Sequence, residues 1–278
     1  MRVYISADME GIGGIVSAVQ CHPREKEYEI ARRLMTLEVL AAVHGAKKAG
    51  ATRIVVNDAH DGMRNFIIEE FPEYVEVVSG FPKPLCMMSG ISSDFDVAFL
   101  IGYHSRKGVK ASILDHTMSG TLIQRVIVNG EEVSELWLSA AVAGHYNVPI
   151  GLVTGDDKLI SHAKEILGDV EAVTTKIALS RVSAVGKSPI RIRREVEEAA
   201  MRAVKRAREG SLRPFKPSPP FSLELEFTES LVADLAEAIP GVERVDGLRI
   251  RYKTDNILKL YRIVELCLLL GIAAQRLH

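Results

Sequence analysis

Three cysteines, Cys21, Cys86 and Cys267, are all that 278 residues contain, and no two of them form a CxxC pair. An odd, scattered set argues against a disulfide framework and a thiolate zinc knuckle, and predicts a reducing, cytoplasmic compartment. Charge of one sign is also missing. With 36 acids against 35 bases, the net charge is −1, so neither a nucleic acid nor a charged membrane surface is implied as partner. No apolar run suits a bilayer: the most hydrophobic stretch, 257–274, carries Lys259, Arg262 and Glu265 and predicts a buried or interface helix. Asp8 arrives too early for a signal-peptide core, which predicts no secretion. HExxH and GxSxG are absent, and Gly11-Ile12-Gly13-Gly14 fails GxGxxG because Val16 stands where the third glycine belongs, which argues against a dinucleotide site. There is no internal repeat or low-complexity tract.

What is present is enough apolar residue, 47%, for one large or two medium domains. Residues 2–7, 53–57, 75–78 and 96–101 read as strands, with a long helix over 24–48 between the first two. Strand, helix, strand at this spacing implies parallel pairing. A hairpin is expected over 122–128, turning at Asn129-Gly130, then a helix opening at Ser134-Glu135. A strand over 149–154 and a helix over 156–167 follow. The predicted class is α/β, a mostly parallel three-layer domain with a smaller C-terminal α+β unit. The boundary is placed near residue 188: 1–188 as the catalytic domain, 189–278 as the smaller unit, engaged in oligomer contacts. A proline-rich connection, 212–220, lies inside the latter.

The chemistry concentrates at Asp8-Met9-Glu10-Gly11. In an extended strand Asp8 and Glu10 face the same way, roughly 7 Å apart, and two such carboxylates repel unless a cation or proton lies between them. Two further apolar strands end in metal-type residues, Asp58 with His60, and His104. Ligands bind beyond the carboxyl ends of open parallel sheets, so this convergence predicts a site of oxygen and imidazole donors. Such a set suits zinc, and manganese or cobalt less decisively. Glu135, in a first helical turn, is favoured there by the helix dipole alone, and His116 beside Asp115 reads either as an oriented acid/base pair or as an ordinary loop histidine. His22, His44, His145, His162 and His278 read as structural or solvated.

Taken together, Asp8-Met-Glu10-Gly, Val56-Asn-Asp-Ala-His60, Gly102-Tyr-His104, His116-Thr-Met118, Ser134-Glu135-Leu136 and Thr154-Gly155-Asp156-Asp157 resemble the D-aminopeptidase family of zinc metallopeptidases encoded with bacterial dipeptide-transport operons. The likeness runs nearly end to end. It implies five zinc ligands at Asp8, Glu10, His60, His104 and Glu135, two zinc ions with Asp8 bridging, and His116 as the catalytic histidine, described in the family as the nucleophile. It also implies a ring-shaped homodecamer acting on short peptides. Asp115 departs from the small polar residue expected there.

The resemblance predicts hydrolysis of the N-terminal bond of short peptides, with a preference for D-residues such as D-alanine. Two other readings use the same residues. One is a metal-dependent hydrolase of another amide or a phosphoester; the other is a non-catalytic peptide-binding protein of a transport system. No motif in the sequence reads out stereochemical preference, metal identity or subunit number.

Overall fold

The computed structural model describes residues 1–275; His278, expected to be solvated, lies outside the described residues. In chain order the elements are β1 (Arg2–Ala7), α1 (Ala18–Cys21), α2 (Tyr28–Lys48), β2 (Arg53–Asp58), β3 (Val75–Val78), β4 (Val97–Ile101), β5 (Ile123–Val128), β6 (Glu131–Glu132), α3 (Glu135–His145), β7 (Ile150–Asp156) and α4 (Asp157–Leu167). There follow β8 (Glu171–Ser180), β9 (Ser183–Gly186), α5 (Pro189–Arg208), β10 (Phe221–Phe227), α6 (Ser230–Ala236), β11 (Val242–Arg244), β12 (Arg249–Thr254) and α7 (Ile257–Ala274).

Seven strands form one sheet in the order β3-β2-β1-β4-β7-β8-β9. The first six run parallel, and β9 folds back antiparallel on β8. Strands β1, β2, β4 and β7 are buried along almost their whole length, which is why they read as continuous apolar runs without alternation. Helices α2 and α5 pack on one face, and they approach closely: a Cβ on Gly45 would lie 2.2 Å from the Glu197 carbonyl oxygen. On the other side Leu136, Leu159 and Leu260, from α3, α4 and α7, join Tyr4, Val55 and Leu100 in one core. This is the three-layer, mostly parallel arrangement expected. Among the described residues, no helix is long and apolar enough to cross a membrane.

A second, antiparallel sheet has the order β11-β12-β10-β5-β6. The boundary expected near residue 188 is displaced in two ways. The hairpin β5–β6, turning at Asn129 (φ 53°) and Gly130 (φ 88°), belongs to the second sheet, where Val126 and Val128 pair with Leu225 and Leu223. Helix α5, expected to open the C-terminal unit, instead buries Ile192, Val196, Ala200 and Ala203 in the core of the first. An apolar stripe on a charged helix states that it must be covered, not which neighbour covers it.

The strand order reverses between β1 and β4, with β2 and β3 to one side and β7 and β8 to the other. Such a switch point leaves a crevice at the carboxyl ends of the strands.

Candidate metal centre

The floor of this crevice is two main-chain loops in unusually close contact. Asp8 N donates to Ile101 O and Gly11 N to Gly102 O, both at 2.8 Å. A Cβ on Gly11 would sit 2.0 Å from the Tyr103 carbonyl oxygen, and one on Gly102 (φ +70°) 2.3 Å from that of Asp8. Only glycine fits at either place, so the residues beside them, Asp8, Glu10 and His104, are driven together.

Five of the predicted residues meet there, all buried: Asp8 and Glu10 after β1, His60 after β2, His104 after β4, and Glu135 at the start of α3. His60 Nδ1 lies 3.1 Å from both Asp8 Oδ1 and Glu10 Oε2. His104 Nε2 lies 3.3 Å from Asp8 Oδ2 and 3.1 Å from Glu135 Oε2. Asp8 therefore presents one oxygen to each of two donor groups. Glu135 is positioned by its helix, whose N-cap Ser134 accepts from Trp137 N, and by Met118 N, which donates to Glu135 Oε1 at 2.5 Å. His116 stacks on His104, with ring centroids 4.1 Å apart, and its Nε2 is 3.8 Å from Glu135 Oε1.

Each imidazole has one nitrogen engaged by a carbonyl, which can only accept. His60 Nε2 donates to Cys21 O (3.0 Å), His104 Nδ1 to Ser105 O (2.9 Å) and His116 Nδ1 to Leu114 O (2.8 Å). In the neutral rings the other nitrogen is then a bare lone pair. For His60 and His104 that lone pair points at carboxylates. Lone pairs facing anions in a buried site repel until something positive lies between them. The orphaned atoms agree: among the described residues Glu10 Oε2 and His104 Nε2 are buried without a hydrogen-bond partner.

Ionisation responds to the same crowding. Burial pulls the His60 and His104 imidazoles down, but the surrounding carboxylates outweigh it and hold both well above their ordinary value. Burial raises the Asp8 carboxyl, and the Glu10 charge beside it adds to this. Glu10 and Glu135 are lowered, because His60 and His104 respectively outweigh their desolvation. The cluster thus collects positive charge, as protons or as metal. Its donor chemistry, three carboxylates and neutral imidazoles without an obligatory thiolate, fits zinc.

Two acids next to the predicted residues are engaged elsewhere. Asp58 does not join the cluster: its carboxylate accepts from Asn65 N (2.5 Å), Asn65 Nδ2 (2.8 Å) and Phe66 N (3.2 Å), shaping the loop after His60. Nor does Asp115 orient His116; its oxygens accept from Gly108 N (2.6 Å) and Arg181 Nε (2.9 Å). His22, read as structural or solvated, is exposed and also lines the cavity.

Three contributors carry no signal in the sequence. Cys21 places its sulfur within reach of Glu10 and His60. Lys176, fully buried, donates to the carbonyls of Glu10 (2.5 Å), Ile12 (2.9 Å) and Ile15 (2.6 Å), holding the loop that carries Glu10. Glu38 accepts from Gly13 N and Thr154 Oγ1, both at 3.0 Å. The cavity above the cluster holds about 570 Å³ and is lined by Met63, Phe81, Met87, Leu122, Leu268 and Ile272 among others.

Residues 1–266 match the family model described as D-aminopeptidase. A D-aminopeptidase of Bacillus subtilis (strain 168) is 30% identical over 263 residues, covering 94% of each chain. A solved structure, the Zn-dependent D-aminopeptidase DppA from Bacillus subtilis, described as a self-compartmentalizing protease, aligns with a TM-score of 0.92 over 98% of each chain at 29% identity.

Proposed function

Because the chain belongs to the D-aminopeptidase family, we propose that the buried cluster holds two zinc ions and removes the N-terminal residue of short peptides, with a preference for D-residues such as D-alanine. The activity is that of a zinc-dependent aminopeptidase. The observation that carries the site is the pair of facing arrangements, Asp8 Oδ1 with Glu10 and His60, and Asp8 Oδ2 with His104 and Glu135. Asp8, Glu10, His60, His104 and Glu135 would hold the ions, with Asp8 contributing to both halves of the cluster.

When bound, zinc supplies Lewis-acid polarisation of the scissile carbonyl and activation of water. The protein's own residues do the rest. Main-chain carbonyls fix the tautomers of His60 and His104, which leaves the nitrogens that face the carboxylates free to serve as ligands. His116, pinned at Nδ1 by Leu114 O, has a free lone pair at Nε2, which takes a proton from the attacking water and passes it to the leaving amine. This acid/base role is favoured over direct attack, since activated water is already a competent nucleophile. The apolar walls exclude bulk solvent and receive the side chain of the first residue.

The family relative's description as self-compartmentalizing supports a homo-oligomer, a decamer by resemblance, and the three buried free thiols support a reducing, cytoplasmic location. The test is metal content of the purified protein together with turnover of D-Ala and L-Ala anilides. Two zinc per chain and faster turnover of the D-anilide are expected; a metal-free protein that turns over either anilide at full rate refutes the proposal.

A further inference from the structure

The cavity has one charged feature that the proposed chemistry leaves unused. Among the described residues that line it, Arg181 is the only lysine or arginine, on a wall otherwise carrying the carboxylates of Asp8, Glu10, Asp61 and Glu135. Its Nε donates to the buried Asp115 (2.9 Å), while among the described residues Nη1 and Nη2 have no partner. The side chain is 55% exposed, and an ion pair this open adds little to stability. What it does is aim: with Nε held, the remaining two-nitrogen edge of the guanidinium has the fork geometry that matches a carboxylate.

Its location relative to His116 is set by two hydrogen bonds and the chain itself. Leu114 N donates to Arg181 O (3.0 Å), Leu114 O accepts from His116 Nδ1 (2.8 Å), and Asp115 lies between them in the chain. Arg181 therefore belongs to the same loop assembly as the group that protonates the leaving amine.

We propose that Arg181 is a subsite for the free C-terminal carboxylate of the substrate, on the leaving-group side of His116. The proposal deepens the aminopeptidase reading and rests on it. The leaving fragment of a short peptide ends in that carboxylate. Asp115 is the positioning residue: its carboxylate holds Nε and leaves the other edge of the guanidinium free.

The test compares a D-alanyl dipeptide bearing a free C-terminus with its C-terminal amide, using zinc-loaded full-length protein. Wild type is expected to prefer the acid by roughly ten- to a hundredfold in kcat/KM, mostly through KM, the range of one charge-assisted hydrogen-bonded pair. Arg181→Gln should bring the acid-to-amide ratio close to one, and Arg181→Lys should restore only part of it, a lysine having charge but no fork. Zinc content and melting temperature of each variant report folding. Equal use of acid and amide by wild type, or a parallel loss on both substrates in Arg181→Gln, overturns the subsite while leaving the aminopeptidase assignment standing. No turnover of either peptide by wild type removes that assignment, and the subsite with it.

Discussion

At the scale of single residues, His60 and His104 are the most informative, because their protons and the metal compete for the same nitrogens. Both imidazoles stand well above their ordinary value: burial lowers them, and the carboxylates of Glu10, Asp8 and Glu135 override it. A raised histidine contributes stability that is complete below the unfolded value near 6.5 and is lost as pH climbs through the folded value. Zinc must displace those protons. Titrating zinc into weakly buffered protein should therefore release protons, and apparent affinity should rise from pH 6 to pH 8; pH-independent binding would contradict the ligand assignment. Substitution separates the roles. Glu10→Ala and His104→Ala should lose zinc and turnover together, while His116→Ala keeps zinc and loses roughly 10²- to 10⁴-fold in kcat, read by metal analysis beside steady-state kinetics.

At the scale of elements, caps and buried charges decide where helices begin and how they respond to pH. Asp156 shows how one side chain serves two purposes. Its Oδ1 accepts from Lys158 N and Leu159 N to start α4, and its Oδ2 accepts from Ser112 Oγ and Ile113 N, tying down the loop that leads to His116. Helix α7 carries a different liability. Glu265 is buried on it and desolvation pushes its carboxyl up to about 7, with Arg262 opposing. The folded protein keeps that proton while the unfolded chain loses it near 4.5, so stability should fall as pH rises from about 4.5 to 7, by on the order of 2 kcal/mol. Glu265→Gln should flatten this slope, matching wild type near pH 5 and exceeding it at pH 8 in denaturant unfolding; an unchanged slope would show that the carboxyl is not the cause.

For the whole molecule, the hairpin β8–β9 stands out because it turns apolar side chains outward. Ile177 pairs across the strands with Val185, and with Leu179 and Val182 all four are more than half exposed. β9 is also an edge strand, which invites pairing with another copy unless covered. The expected self-association therefore draws on this patch as well as on the C-terminal unit, and Leu179→Glu with Val185→Glu should shift the species seen by light scattering towards smaller assemblies; an unchanged mass removes the hairpin from the interface. The sequence by itself determined the strands, the parallel sheet and the donors at its carboxyl edge, because Asp8, Glu10, His60 and His104 each sit just past an apolar run whose period is local. Glu135 and His116 are singled out only through family likeness, since a glutamate in a first turn and a histidine in a loop have ordinary local reasons to be there. What only the tertiary structure decided is which distant groups meet: α5 against α2, the β5–β6 hairpin in the second sheet, Lys176 under the Glu10 loop, and Arg181 on Asp115. Those pairings join residues up to 166 positions apart, and no periodicity along the chain encodes a contact whose two halves are set by packing across the sheet.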